Sequence, residues 1–92
     1  GKYYLYMPNA FTPNGDGNND IVAPIFKGAQ KVTFRIWDRW GELVFECETQ
    51  NCAWNGSFNG KPLDPGLFIW EAVIKYKKPS IVRYSGSITL IK

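Results

Sequence analysis

Lys31-Val32-Thr33-Phe34-Arg35-Ile36-Trp37-Asp38-Arg39-Trp40-Gly41-Glu42-Leu43-Val44-Phe45-Glu46-Cys47 decides the fold class, because its first half places an apolar residue at every second position. Val32, Phe34 and Ile36 fall on one side and Thr33, Arg35 and Trp37 on the other, which is the pattern of a half-buried β-strand. Arg39-Trp40-Gly41 then turns the chain, and Gly41 can take the positive φ that a tight hairpin demands. Glu42 to Cys47 is therefore expected to return antiparallel, with Leu43, Phe45 and Cys47 facing together.

Downstream the same period recurs. Phe68, Trp70, Ala72, Ile74 and Tyr76 share one face of a long strand from Leu67 to Tyr76, Lys77 to Ser80 turns, and Ile81 to Ile91 completes a second hairpin. Gly86 sits inside that last strand, where a bulge or a closely packed ring is the usual reason for glycine. Between the hairpins, Trp54-Asn55-Gly56, Asn59-Gly60-Lys61-Pro62 and Asp64-Pro65-Gly66 are three turn signals in succession. Upstream, Tyr3 to Met7 is expected to form a short strand ended by Pro8, and Ile21 to Phe26, broken by Pro24, is at best an edge strand. No segment carries a period of 3.6 residues. Six or seven short strands separated by turns predict an all-β fold, a small immunoglobulin-like antiparallel β-sandwich.

The 92 residues fit one small domain, at which length folding hides only about 60–65% of the extended chain's surface. With 45% hydrophobic and 16% aromatic residues but one methionine, the core is built from rings and branched side chains. The net charge of +3 comes from dispersed cations, clustered only at Lys75, Lys77 and Lys78, unlike the gathered basic face of a nucleic-acid binder. No apolar run is long enough to cross a bilayer as a helix, and no signal-peptide pattern opens the chain; if the parent protein is exported, its signal is expected upstream of Gly1.

Catalytic chemistry has few candidates. There is no histidine, no Gly-x-Ser-x-Gly and no phosphate-cradling glycine loop, and the eight acidic residues lie mostly at turns or on strand faces. Cys47 and Cys52 have no histidine with which to share a metal; a disulfide is the leading assignment, with two free thiols as the alternative, and it would place the chain in an oxidising compartment.

Asn14, Asp16, Asn18 and Asp20 stand at alternate positions, the spacing by which a calcium loop converges its oxygen ligands. A complete EF-hand loop would have glycine where Asn19 stands and an acid where Ile25 stands. Consecutive Asx-turns, with these side chains capping backbone amides, account for the same residues without an ion. Trp37, which shares a face with Thr33 and Arg35, is a candidate interface residue, and Trp40 and Trp54 are either stacking platforms for a sugar or plugs closing the ends of the sandwich.

Pro8-Asn9-Ala10-Phe11-Thr12-Pro13-Asn14-Gly15-Asp16-Gly17-Asn18-Asn19-Asp20 resembles the opening signature of the gliding-motility-associated C-terminal domain, the type B sorting domain of the type IX secretion system of Bacteroidota. The later motifs follow in order: Ile36 to Phe45, Trp54-Asn55-Gly56, Gly60-Lys61-Pro62 with Pro65-Gly66-Leu67-Phe68-Ile69-Trp70, and Gly86 to Lys92. Where the family usually has Trp-Asp-Gly this chain has Trp54-Asn55-Gly56, and where it commonly carries an aromatic this chain has Val22.

The resemblance implies a non-catalytic domain, spanning 1–92, that ends a larger secreted protein or adhesin and is recognised by the type IX translocon. It also implies attachment at the cell surface through a PorP/SprF-type outer-membrane partner, without membrane insertion by the domain itself. Pro8, Asn9, Ala10, Phe11, Thr12, Pro13, Trp37, Arg39 and Trp40 are the expected partner-contacting residues. Within the family the position of Asn18 varies, which leaves Asn14, Asp16 and Asp20 as possible calcium ligands. An extracellular adhesive or carbohydrate-binding sandwich, using Trp37 and Trp40, is the alternative function.

Overall fold

The computed structural model describes residues 4–13, 20–49, 51–76 and 80–91. Among these residues there are nine strands and no helix: β1 (Tyr4–Tyr6), β2 (Ala10–Phe11), β3 (Ile25–Lys27), β4 (Ala29–Trp37), β5 (Leu43–Cys47), β6 (Ser57–Phe58), β7 (Lys61–Pro62), β8 (Gly66–Tyr76) and β9 (Ile81–Leu90).

A five-stranded sheet in the order β2-β9-β8-β4-β5 dominates, and its centre is the pair of long strands whose alternation is plainest in the sequence. Val32, Phe34 and Ile36 of β4, all five expected β8 residues, and Ile88 and Leu90 of β9 are buried on one face. Two smaller pairs, β1-β3 and β6-β7, and an isolated bridge between Val22 and Trp54 lie outside that sheet. Their residues Leu5, Val22, Phe26, Trp54 and Phe58 join the same core, so the large sheet is covered by short, interrupted pieces. Pro24 lies between the Val22 bridge and β3, in keeping with the expected break.

Three details depart from the sequence-based expectation, the first being nine strands among the described residues where six or seven were expected. The sheet is mixed, because β2 runs parallel to β9, with Ala10 opposite Thr89 and Phe11 opposite Leu90. The β4–β5 hairpin carries a bulge: Ile36 pairs with Phe45 but Trp37 pairs with Leu43, which leaves Val44 as the extra residue. The bulge shifts the phase of the strand. Val44 turns into the core while Leu43 faces out, so Phe45 and Cys47 keep the expected company and Leu43 does not.

Gly86 lies in an unbroken stretch of β8–β9 register opposite Trp70, which selects the packed ring over the bulge. A Cβ at Gly86 would come within 3.1–3.2 Å of the Trp70 indole. Gly86→Ala is therefore expected to destabilise by about 1–3 kcal/mol, the usual range for overpacking. A urea midpoint equal to that of the unmodified domain would show that the indole moves aside freely.

The hairpin ends follow local chemistry. Asn59 and Gly60, with φ of 53° and 80°, form the two-residue turn between β6 and β7. At the β8–β9 end Tyr76 N donates to Ser80 O, while the expected turn residues Lys77 to Pro79 lie outside the described residues. Cys47 and Cys52 are joined by a disulfide with Cα atoms 5.8 Å apart. Closing so short a loop stabilises by only about 2 kcal/mol on the chain-entropy account, so the bond fixes the exit of β5 more than the whole fold.

Candidate functional site

The sheet brings most of the expected contact residues to one end. β4 ends where β8 begins, with Trp37 opposite Ile69, and β9 ends there too, with Leu90 opposite Gly66. Because β2 lies beside Thr89 and Leu90, the segment from Pro8 to Pro13 reaches the same end as the Arg39-Trp40 turn.

Within Pro8 to Pro13 the residues divide by role. Asn9 O accepts from Thr89 N and Phe11 O accepts from Ile91 N, both at 2.9 Å, so the backbone of the loop is hydrogen-bonded to the C-terminal strand. Phe11 is buried, with its ring 5.4 Å from that of Trp54, and therefore acts as an anchor. Asn9 and Ala10 are exposed, whereas Pro8, Thr12 and Pro13 are half-buried. Gly56, at φ +84°, leaves room for Pro13, Phe11 and Leu90: a Cβ there would lie 3.1, 3.4 and 3.1 Å from them. The Trp54-Asn55-Gly56 motif is thus the seat on which the opening signature rests.

Trp54 is held from every side. Its ring meets Phe68 at 5.1 Å and Phe45 at 6.5 Å, its Nε1–H donates to Ser57 O at 3.0 Å, and its backbone pairs with Val22 in both directions. Asn55 Oδ1 accepts from the backbone N–H and the hydroxyl of Ser57, an Asx-type closure that asparagine performs in place of aspartate.

The β4–β5 turn is built by Asp38. Its Oδ1 accepts the N–H groups of Trp40 and Glu42, both at 2.9 Å, and its own N–H donates to Glu42 O. Gly41 supplies the positive φ of +85°. This rigid turn presents Trp40 at 80% exposure, with the Arg39 guanidinium 5.0 Å above its ring. An open cleft lies beside it, lined by Arg39, Trp40, Leu63, Pro65, Leu67 and Phe68 among others.

The solvent-side face of the sheet is divided. Leu43, Trp37 and Ile69 form one cross-strand rung, and Leu67 lies next to it, so that end is apolar; Leu43, Leu67 and Ile69 are exposed and Trp37 half-buried. The next rung is charged, with Arg35 paired to Glu46 and Arg83 reaching Glu71. The Glu46 hydrogen bond raises the Arg35 pKa above the ordinary guanidinium value. Leu43, Leu67 and Ile69 were missed as surface residues, although Leu67 and Ile69 stand at the alternate, outward positions of a strand whose other face is plainly core.

Of the possible calcium ligands, Asn14 and Asp16 lie outside the described residues, and Asp20 is half-buried. Among the described residues no three metal-ligating side chains gather and no buried side-chain polar atom lacks a partner. What this end of the molecule offers is contact: a fixed aromatic, a cation stacked on it, an apolar rung and a strand-bound loop.

Comparison with curated proteins and with solved structures finds no match. The family model for the CHU_C Type IX secretion signal domain matches residues 5–90, a span that includes the loop, the turn, the Trp54 seat and the final strand, and the chain belongs to that family.

Proposed function

We propose that this is the type B C-terminal sorting domain of a larger secreted protein of adhesin type, held at the surface by a PorP/SprF-type outer-membrane protein that binds the end of the sheet carrying Arg39 and Trp40. Family membership makes the domain a sorting signal for the type IX machinery, in a protein that is secreted and attached to the cell surface. Secretion signal domains are in general non-catalytic.

The observation that carries the choice of surface is Trp40, 80% exposed yet fixed by the Asp38 turn. A large apolar ring held in water on a rigid turn is a liability in isolation and an anchor in an interface. Ala10, exposed on the strand-bound loop, would flank it. The architecture supports an immunoglobulin-like description, since the first strand segments divide between layers, β1 pairing with β3 and β2 with β9. A sugar-stacking role has less support, because Arg39 occupies one face of Trp40 and Trp37 is half-buried.

The combined change Arg39→Ala and Trp40→Ala, in a reporter fused to this domain, is expected to leave the urea midpoint within about 0.5 kcal/mol of the parent, as for exposed positions generally. Surface display should fall about tenfold, the loss of one interface anchor worth about 1.4 kcal/mol or more. Normal display from a folded double variant would exclude this surface.

A further inference from the structure

The two edges of the five-stranded sheet are treated differently. β5 has five residues, is bulged at Val44 and is tied at its end by the Cys47–Cys52 disulfide, all of which discourage a further strand. β9 has ten residues, contains no proline and keeps continuous register with β8 from Ile81 to Leu90. Its other side is occupied by β2 only at Thr89 and Leu90. The chain before β2 leaves at Pro8 to pair β1 with β3. Among the described residues, nothing pairs with the outer edge of β9 from Ile81 to Ser87.

The direction of the free groups follows from the bonds that are made. Thr89 N and Ile91 N point towards β2, so in an extended strand the N–H and C=O groups of Ile81, Arg83, Ser85 and Ser87 point the same way. The adjoining side chains set the chemistry of a neighbour. Val82 and Tyr84 lie on one face, exposed and half-buried respectively. Arg83 lies on the other with its side chain 72% exposed, its contact to Glu71 a loose 3.4 Å, and Lys75 in the adjoining rung.

We propose that Ile81 to Ser87 is a β-augmentation site for an extended segment of a partner protein that alternates apolar and acidic residues. Added as a sixth main strand, the segment's apolar side chains lie beside Val82 and Tyr84 and its carboxylates beside Arg83, with Lys75 one strand further in, while its backbone takes up the four outward pairs of groups. This goes beyond the sorting reading and does not depend on it: the surface is a backbone edge, separate from the Arg39-Trp40 turn.

The test uses the domain and two acetylated, amidated heptapeptides, Val-Glu-Val-Glu-Val-Glu-Val and its counterpart with lysine for glutamate, followed by amide NMR and hydrogen exchange. The acidic peptide is expected to protect the amides of Ile81, Arg83, Ser85 and Ser87, and to bind about fivefold or more tightly than the basic one, the scale of exposed charge pairs. Arg83→Glu should reverse that preference, and Ser85→Pro, which removes an outward donor and no β8 bond, should abolish protection that Ser85→Ala retains. Should Ser85→Pro fail to fold, the peptide preference and its reversal still decide the matter. Equal affinity for both peptides, protection elsewhere, or the same four amides protected by self-association without peptide would each overturn the proposal, the last by making a second copy the occupant.

Discussion

Trp54→Ala is expected to remove about 3–5 kcal/mol of stability, the usual cost of deleting a buried indole. Single domains typically hold about 5–15 kcal/mol, and one this small sits at the low end, so the variant should be largely unfolded at physiological temperature. The size of the loss comes from position. Trp54 is 1% exposed and touches Phe11 of the opening loop, Phe45 of β5 and Phe68 of β8, so its removal opens a cavity that rigid strands on three sides cannot collapse to fill. Trp54→Phe separates two contributions: it keeps most of the ring but strands Ser57 O, at about 1–2 kcal/mol for the lost hydrogen bond. Urea denaturation followed by far-UV circular dichroism reads both variants. An alanine variant that unfolds within about 1 kcal/mol of the parent would show that Trp54 is not the keystone of the second layer.

Gly56→Ala should be the next most damaging small change, at about 2–5 kcal/mol. Two independent terms add. The positive φ of +84° costs about 1–2 kcal/mol in any residue with a Cβ, and the new methyl crowds Leu90, Pro13 and Phe11. Gly60→Ala is the built-in control, since Gly60 has φ +80° with nothing near its missing Cβ. The difference between the two variants isolates the crowding. Equal losses would mean that the opening loop does not rest on Gly56 at all. Because two of the three crowded residues, Phe11 and Pro13, belong to Pro8 to Pro13, a reporter carrying Gly56→Ala should also lose surface display beyond what its stability deficit explains.

The long strands were legible because period-two patterning is strongest where a strand is long and one face is wholly buried: every residue assigned to the inner face of β8 is there. The bulge at Val44 was not. It depends on how β5 registers against β4, and uniform alternation assigned Leu43 inward until Trp37 took it as a partner. The parallel pairing of β2 was equally hidden, since a two-residue strand has no period and its partner lies near the far end of the chain.

Two tryptophans show the same limit at the site. Trp40 and Trp54 both precede turn-forming glycines, yet one is 80% and the other 1% exposed. The difference is tertiary: the Asp38 turn ends a hairpin that projects into solvent, while the Val22 bridge draws Trp54 over the large sheet. Phe11 sits among turn formers and gave no local sign of its burial against Trp54. What the sequence did carry was family likeness, whose ordered motifs turn out to be spatial neighbours joined through Gly56 and the last strand.

The clasp between residues 10–11 and 89–90 also orders events in time. β8 lacks the second of its two partners along ten positions, and β2 lacks its neighbour altogether, until β9 is available. A chain emerging from its N-terminus can close the local β4–β5 hairpin early, but the clasp closes a loop that spans nearly the whole sequence. Such non-local topology folds slowly, on a scale of about milliseconds to seconds. Throughout that interval the two layers stay unclosed, so the end of the sheet that carries Arg39 and Trp40 is completed only when the last strand is in place.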